Sequence, residues 1–244
     1  MKRAERTYRD YAETARWKSF RVKVETSDLY IRAGSDLSER AERVVRGLRD
    51  RIFEHIDRQN EFLTSYAPVE RLAGCPPVID MMYDASGRAG VGPMAAVAGA
   101  VAECTGRELL SFTDELIVEN GGDIWMMTAA PASIRIYPGG HHFDAVSIRI
   151  SPDRTPCGIC TSSARIGLSF SFGAADAATV IAPGAALADA IATETCNRVK
   201  SEEDMEAAAR FAMERGARGV VIIYRDRLAA QGDVELADLH GEQA

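Results

Sequence analysis

The residues that could carry chemistry in this sequence are a small set of acids, hydroxyls and glycines. Asp189 and Thr193 stand four positions apart in an alanine-rich segment, so they face the same way on a helix. A carboxylate and a hydroxyl on one helix face are hard oxygen ligands of the kind that Mg²⁺ prefers. Spacing alone favours the simpler interpretation, an exposed helix face, so a metal role needs support from elsewhere.

A second informative feature is the run Asn120, Gly121, Gly122 and Asp123, which lies between two apolar segments. Two consecutive glycines permit positive φ and let a ligand approach bare backbone. The flanking amide and carboxylate add polar groups to such a site. A plain Asn-Gly hairpin turn explains the same residues, and this run alone favours that interpretation.

A glycine-led helix start is predicted at Gly90, Gly92 and Pro93. These residues fit the dinucleotide fingerprint G-x-G-x-x-A formally, but no alternating β–α–β series surrounds them. The amides at such a helix N-terminus could still hold a phosphate near Gly92. A helix that needs small residues for packing is an equally good interpretation.

Three consecutive hydroxyls, Thr161, Ser162 and Ser163, end a predicted strand and could hydrogen-bond phosphate or ribose oxygens. Serine and threonine are common in loops, so this indication is weak unaided. His141 and His142 could bind a metal, although a Gly-Gly-His-His loop is more often only solvent-exposed.

The five cysteines form an odd, sparse set that does not indicate a disulfide framework. Cys157 and Cys160 have the spacing of a redox or metal-binding pair. No second cysteine pair exists and no thioredoxin-like β–α–β context surrounds this one. A functional dithiol is therefore the minority interpretation.

Composition places the chain among ordinary globular proteins, with 244 residues, 46% apolar and 27% charged. The formal net charge of -7 opposes nucleic-acid binding, because an acidic surface repels phosphate backbones. The N-terminus lacks an apolar signal core, and the most apolar stretch, 91–102, is too short to cross a bilayer of about 30 Å. We expect a cytoplasmic protein without membrane or nucleic-acid partners.

Hydrophobic periodicity predicts strands that arrive mainly in hairpins, with helices between the pairs. The predicted strands are 20–25, 28–32, 116–118, 124–128, 133–137, 146–150, 167–172, 177–182 and 219–224. The predicted helices are 38–64, 94–103, 185–199 and one capped by 201–204 that runs to 215. Cys75, Pro76 and Pro77 indicate a hinge or loop, and the polar segment after Asp226 indicates a loose tail.

This order of elements predicts an α+β protein with antiparallel sheets backed by helices. We expect a single domain over 1–244, built from two intertwined lobes of about 17–130 and 131–225, with 226–244 as the tail.

In their order along the chain, these motifs resemble the ApbE-type flavin transferases. Members of that family carry a Ser-Thr-Tyr-like stretch, a Gly-led small-residue helix, an Asn-x-Gly-Gly-Asp turn, a Thr-Ser-Gly segment and an Ala-Asp-Ala-x-Ala-Thr helix. The corresponding residues here are 56–66, 92–96, 119–124, 161–163 and 188–193. The sequence is most similar to the soluble, functionally unassigned branch beside the true transferases.

The resemblance implies a T-fold-like (tunnelling-fold), two-lobed α+β fold with flavin between the lobes. It implies FAD or FMN and Mg²⁺ as cofactors, and either FMN transfer to an acceptor protein or cleavage of FAD into FMN and AMP. By the same resemblance, Asp189, Thr193 and the carbonyl of Pro93 would bind the metal. The motif around Asn120 would line the dinucleotide, and that around Thr161 would approach its phosphates.

Three departures from the family pattern bear on activity. Ala96 stands where the family has a lysine, Ser163 replaces the glycine of Thr-Ser-Gly, and a His-Ile-x-Asp-Pro-x-Thr-Gly loop is absent between Thr161 and Ala188. These losses favour a non-catalytic flavin- or nucleotide-binding module as the alternative to a transferase or pyrophosphatase. A redox or metal protein using Cys157 and Cys160 is the third hypothesis.

Overall fold

The computed structural model of the chain describes residues 16–138, 146–164 and 172–237. Its helices are α1 (Ser38–Arg58), α2 (Glu61–Thr64), α3 (Pro77–Ala89), α4 (Val97–Leu109), α5 (Ala185–Arg198) and α6 (Met205–Glu214). Its first strands are β1 (Lys18–Val24), β2 (Ser27–Ala33), β3 (Leu116–Asn120), β4 (Asp123–Met127), β5 (Ala132–Ile136) and β6 (Val146–Ile150). The later strands are β7 (Cys157–Ser162), β8 (Ala177–Ala182), β9 (Gly219–Tyr224), β10 (Arg227–Gly232) and β11 (Leu236–Ala237).

Two antiparallel sheets organise the described residues. The larger has eight strands in the order β1-β2-β3-β4-β7-β8-β9-β10, and the smaller has three in the order β11-β6-β5. The β5–β6 hairpin leaves the large sheet after β4, and β7 then returns to pair with β4. The first and second halves of the chain therefore share one sheet.

Successive strand residues alternate between two apolar layers, which makes a three-layered molecule. On β4, Trp125 lies in the layer shared with the helices, while its neighbour Met126 lies in the layer shared with the small sheet. Both side chains are fully buried. This alternation accounts for the nearly continuous apolar sequence of the central strands, since both faces of the large sheet are covered.

The predicted strands and helices are largely confirmed, with four larger differences. The first helix ends at Arg58 rather than near residue 64, because Gln59 leaves the helical conformation with φ -145° and ψ 89° and α2 follows as a separate turn. The predicted hinge at Pro76 and Pro77 instead starts α3, in which Pro77 is the first residue, where a missing N–H costs nothing.

The glycine-led helix and the C-terminal segment also differ from expectation. Residues Pro93–Ala96 form a 3-10 turn, and α4 begins only at Val97 and extends to Leu109. The tail after Asp226, expected to be loose, forms β10 against β9 and β11 against β6. The predicted cap at 201–204 is confirmed, and Ser201 and Asp204 form a capping box there.

The predicted strand 167–172 falls almost wholly outside the described residues. None of the helices in the described ranges is long and apolar enough to cross a membrane.

Candidate functional site

The paired glycines form the tight turn between β3 and β4. Asn120 and Asp123 are register partners, so Gly121 and Gly122 alone make the connection, with φ values of 74° and 109°. Side chains other than glycine rarely adopt such values, which explains the residue type at both positions. The Gly122 amide donates to Oε1 of Glu119 over 3.1 Å. The hairpin interpretation is therefore confirmed, and a binding role depends on what lies beside the turn.

Asp189 lies at the place where α5 crosses α4. Its Oδ2 accepts a hydrogen bond of 2.9 Å from the amide of Gly99, and the amide of Ala98 also donates to this carboxyl group. Both amides belong to the first turn of α4, where N–H groups have no acceptor within their own helix. Asp189 thus caps the positive end of a neighbouring helix, an arrangement that favours negative charge there.

The glycine turn and Asp189 meet at this same helix start. The Nδ2 group of Asn120 donates to the carbonyl of Ala98 over 3.1 Å, so the turn is fastened to the residue whose amide contacts Asp189. Asp123, at the other side of the turn, is the register partner of Cys160 and interacts electrostatically with Asp189. Two motifs that are 66 residues apart in sequence are adjacent in the fold.

The pKa values of both carboxyl groups are raised, in each case chiefly by burial. Burial raises the pKa of Asp123 to about 7. The adjacent Cys160 thiol and the Thr161 amide, which donates to the carboxyl group, oppose the shift, and the nearby Glu119 carboxylate adds to it. Burial, and then the charge of Asp123, raise the pKa of Asp189 well above its ordinary value. None of the ion pairs between described residues involves either group, so no cationic side chain in that part of the chain is paired with them.

The other predicted metal ligands lie on elements that surround Asp189. Thr193 is half-buried one turn further along α5, on the same helix face. Pro93 is buried in the 3-10 turn that precedes α4 and packs against α5. Gly92 is buried too, and a Cβ built on it would lie 1.8 Å from the carbonyl oxygen of Ser65, so this glycine permits a close approach of two backbone segments.

The three hydroxyl residues lie at the end of β7, beside the glycine turn. The carbonyl oxygen of Thr161 lies 4.0 Å from a Cβ built on Gly122. The Thr161 hydroxyl shares a hydrogen bond of 2.8 Å with Thr179 on β8, so it is already engaged. Ser162 is half-buried at the last position of the strand, and Ser163 follows it.

The cysteine pair does not form a dithiol. Cys157 and Cys160 are three residues apart on β7, so their side chains point to opposite faces of the sheet. Cys157 lies in the layer beneath the small sheet, and Cys160 lies in the helical layer, where it donates to the carbonyl of Ala185 over 3.3 Å. Burial raises the pKa of Cys157 to about 12 and also raises that of Cys160. The third hypothesis, a redox or metal function of this pair, is wrong.

An exposed aromatic pair at the other end of α5 was not predicted as part of a site. Tyr66 and Phe172 are 71% and 53% exposed, and their rings meet edge to face with centroids 5.4 Å apart. The Phe172 amide donates to Oδ1 of Asn197, two helical turns beyond Asp189. The signal that identifies this pair is the contact between two exposed aromatic rings, which can be seen only once the fold is known.

No three His, Cys, Asp or Glu side chains of the described ranges gather as a ready-made metal site. The two acids near α4 therefore offer at most part of a coordination shell. His141 and His142 lie outside the described residues.

Several known proteins are similar in sequence to this chain. Residues 9–224 match the sequence model of a family described as "AbpE bacteria". A UPF0280 protein of Methanopyrus kandleri is 40% identical over 198 residues, which cover 80% of this chain and 80% of that protein. A UPF0280 protein of Methanocaldococcus jannaschii is 36% identical, over 80% of this chain and 82% of its own.

Solved structures with the same fold include the flavin transferase ApbE from Vibrio cholerae, with a TM-score of 0.58, 12% identity, and coverage of 89% of this chain and 97% of that one. The flavinyl transferase ApbE of Pseudomonas stutzeri gives a TM-score of 0.55 at 13% identity, over 88% of this chain and 94% of its own. The predicted α+β fold of the ApbE type is confirmed by these likenesses.

Proposed function

The chain belongs to the family described as "AbpE bacteria", and from this premise we propose that it binds a flavin nucleotide together with Mg²⁺ and acts on the phosphate groups of FAD. The observation that carries the proposal is the meeting of Asp123 and Asp189, two acids with raised pKa values and no cationic side chain paired with them among the described residues. Half-buried carboxyl groups that face each other favour binding of a counter-ion.

The residues around Asp189 fit a magnesium ion. Mg²⁺ takes oxygen ligands, and it is usually held by one or two carboxylates plus water and substrate phosphates rather than by a closed protein cage. Asp189 and Thr193 would supply a carboxylate and a hydroxyl, and the carbonyl of Pro93 would add a third oxygen. The Asp189 carboxylate accepts two amides and still has acceptor capacity left for a cation.

The turn between β3 and β4 would line the dinucleotide. Asn120 and Asp123 frame Gly121 and Gly122, which leave bare backbone beside Thr161. Ser162 and Ser163 would reach phosphate oxygens from the end of β7, and Gly92 would lie near them at the 3-10 turn. Because Glu119, Asp123 and Asp189 repel a phosphate, we expect nucleotide binding to depend on the metal.

The aromatic pair would receive the flavin ring. Asp189, Thr193 and Asn197 recur at four-residue spacing along one face of α5, and Phe172 is fixed to Asn197. Eight residues of helix span about 12 Å, which suits a ligand with a phosphate at one end and a flat ring at the other. Stacking on Tyr66 would supply affinity without charge.

The metal would supply charge neutralisation on the phosphate oxygens when it is bound. The chain itself would hold the diphosphate between the glycine turn and the start of α4, with Asp189 oriented by the amides of Ala98 and Gly99. Attack by a hydroxyl of an acceptor protein would give a flavinylated protein and AMP, whereas attack by water would give FMN and AMP.

The test is incubation of the purified protein with FAD and Mg²⁺, with AMP and FMN separated by chromatography. We expect AMP to appear in the wild type, and to be lost in the Asp189→Asn variant and after chelation of the metal. Failure of the wild type to release AMP, under conditions in which a known flavin transferase works, would refute catalysis.

A flavin-binding module without catalysis is the second candidate. Ala96, which stands where the resemblance has a lysine, is fully buried in the 3-10 turn, so no cation comes from this position. Flavin binding that depends on Mg²⁺, without any release of AMP, would favour this candidate.

A further inference from the structure

Glu103 on α4 mirrors Asp189 on α5. The Glu103 carboxyl group is buried, and its Oε2 accepts a hydrogen bond of 3.3 Å from the amide of Ala186, in the first turn of α5. Asp189 receives the amide of Gly99, in the first turn of α4. Each helix therefore has its N-terminus capped by a carboxylate of the other.

The crossing point leaves little room for α5 to shift. A Cβ built on Gly99 would lie 2.2 Å from the carbonyl oxygen of Ala185 and 2.9 Å from Cβ of Asp189. A Cβ built on Gly184 would lie 2.5 Å from Oε2 of Glu103. The two helices meet backbone to backbone at Gly99, and the Glu103 carboxyl group fills the space beside Gly184. The contact with Glu103 therefore fixes where the first turn of α5 rests and, one turn later, where Asp189 lies.

The two capping acids differ in their charge partners. Oε1 of Glu103 accepts from Nε and Nη2 of Arg107 at 2.9 Å and 2.7 Å. Asp189 instead faces the like charge of Asp123. The Glu103 carboxylate is thus neutralised by Arg107, whereas none of the ion pairs within residues 16–138, 146–164 and 172–237 involves Asp189.

We infer that Glu103, held by Arg107, is a positioning residue that presents the Asp189 carboxylate at the start of α4. The inference rests on the proposed function for its consequence, Mg²⁺ affinity, but its geometric part can be measured without metal. Partners of this kind behind a metal ligand commonly change metal affinity about 10- to 100-fold when they are replaced.

The metal-free test uses hydrogen exchange of the Gly99 amide, followed by NMR. This amide has no acceptor within its own helix, so its protection reports the bond to Asp189. We expect Glu103→Gln to speed its exchange by up to about tenfold, because a weakened hydrogen bond eases local opening. Arg107→Gln, at a half-exposed surface position, should act in the same direction. Val101→Ala, a buried change in the same helix, is the control for general loss of stability.

Unchanged Gly99 protection in both variants, or an equal effect of Val101→Ala, would overturn the inference. The second measurement is titration with Mg²⁺ alone, in which Glu103→Gln should raise the Kd about tenfold while Val101→Ala leaves it unchanged. If the wild type binds no Mg²⁺, the proposed function fails, and the exchange of Gly99 still decides whether Glu103 positions Asp189.

Discussion

Replacing Asp189 by asparagine should have opposite effects on stability in the absence and presence of Mg²⁺. Asparagine is a good helix-capping residue, so the amides of Ala98 and Gly99 keep an acceptor. The substitution removes one of two like charges at a site where no described cation pairs with them. Without metal, the variant should therefore be as stable as the wild type or more stable. With metal, it should be less stable than the wild type, because a metal ligand is lost.

The pKa of Asp123, which rises from 3.8 to about 7 on folding chiefly through burial, sets an upper bound on what an uncompensated carboxylate costs at this site. Between these values the folded protein binds more protons than the unfolded chain, so the free energy of unfolding falls as pH rises from about 4 to about 7. At about 1.4 kcal/mol per pKa unit, the loss is at most about 4 kcal/mol. Asp123 is a half-buried residue, so screening by solvent reduces this to about 1–2 kcal/mol.

The assay is urea unfolding at pH 5 and pH 8, with and without Mg²⁺. At pH 8 without metal, we expect Asp189→Asn to equal or exceed the wild type, by up to about 1 kcal/mol. With Mg²⁺ at about 100 times its Kd, the wild type should gain about 2.7 kcal/mol and the variant nothing. Asp50→Asn, an exposed change on α1, is the control for net charge.

Either of two results would refute this reasoning. A variant that keeps the full stabilisation by Mg²⁺ would remove Asp189 from the metal site. A variant that is equally destabilised at pH 5 and pH 8 without metal would show that repulsion between the two acids does not lower the stability of the folded state.

Three further outcomes are expected. Gly99→Ala should lower the free energy of unfolding in urea by about 1–3 kcal/mol, because the new methyl would lie 2.2 Å from the carbonyl oxygen of Ala185; an unchanged midpoint would contradict the close crossing. Tyr66→Ala should weaken flavin affinity about fivefold in a fluorescence titration and change stability by less than about 0.5 kcal/mol, whereas equal affinity would exclude stacking there. Cys157 and Cys160 should resist thiol reagents at pH 8 until the protein is unfolded, and rapid labelling of the native protein would contradict their burial.

The sequence identified the parts of the candidate site better than their contacts. The run from Asn120 to Asp123 predicts a turn, because paired glycines tolerate positive φ. The four-residue spacing of Asp189 and Thr193 predicts that they share a helix face. Neither pattern could show that both meet at the start of α4, since that contact depends on tertiary packing across 66 residues of chain.

Other features escaped prediction for identifiable physical reasons. The Cys157 and Cys160 spacing has different consequences on a strand and on a loop, and the strand sends the two thiols to opposite faces. The Pro76–Pro77 pair predicts a hinge or loop, although proline is also a favoured first residue of a helix. Gly99 gave no signal of its own, because a glycine required by a helix crossing looks like any other small residue in an alanine-rich segment.

The proposal that one site binds flavin and metal is tested most directly by crystals grown with FMN and Mn²⁺ in place of Mg²⁺. Anomalous scattering locates the manganese without reference to the protein. We predict a single strong peak within coordination distance of the Asp189 carboxylate and the flavin phosphate. A manganese peak remote from α5, or FMN bound away from the turn at Gly121, would contradict the account.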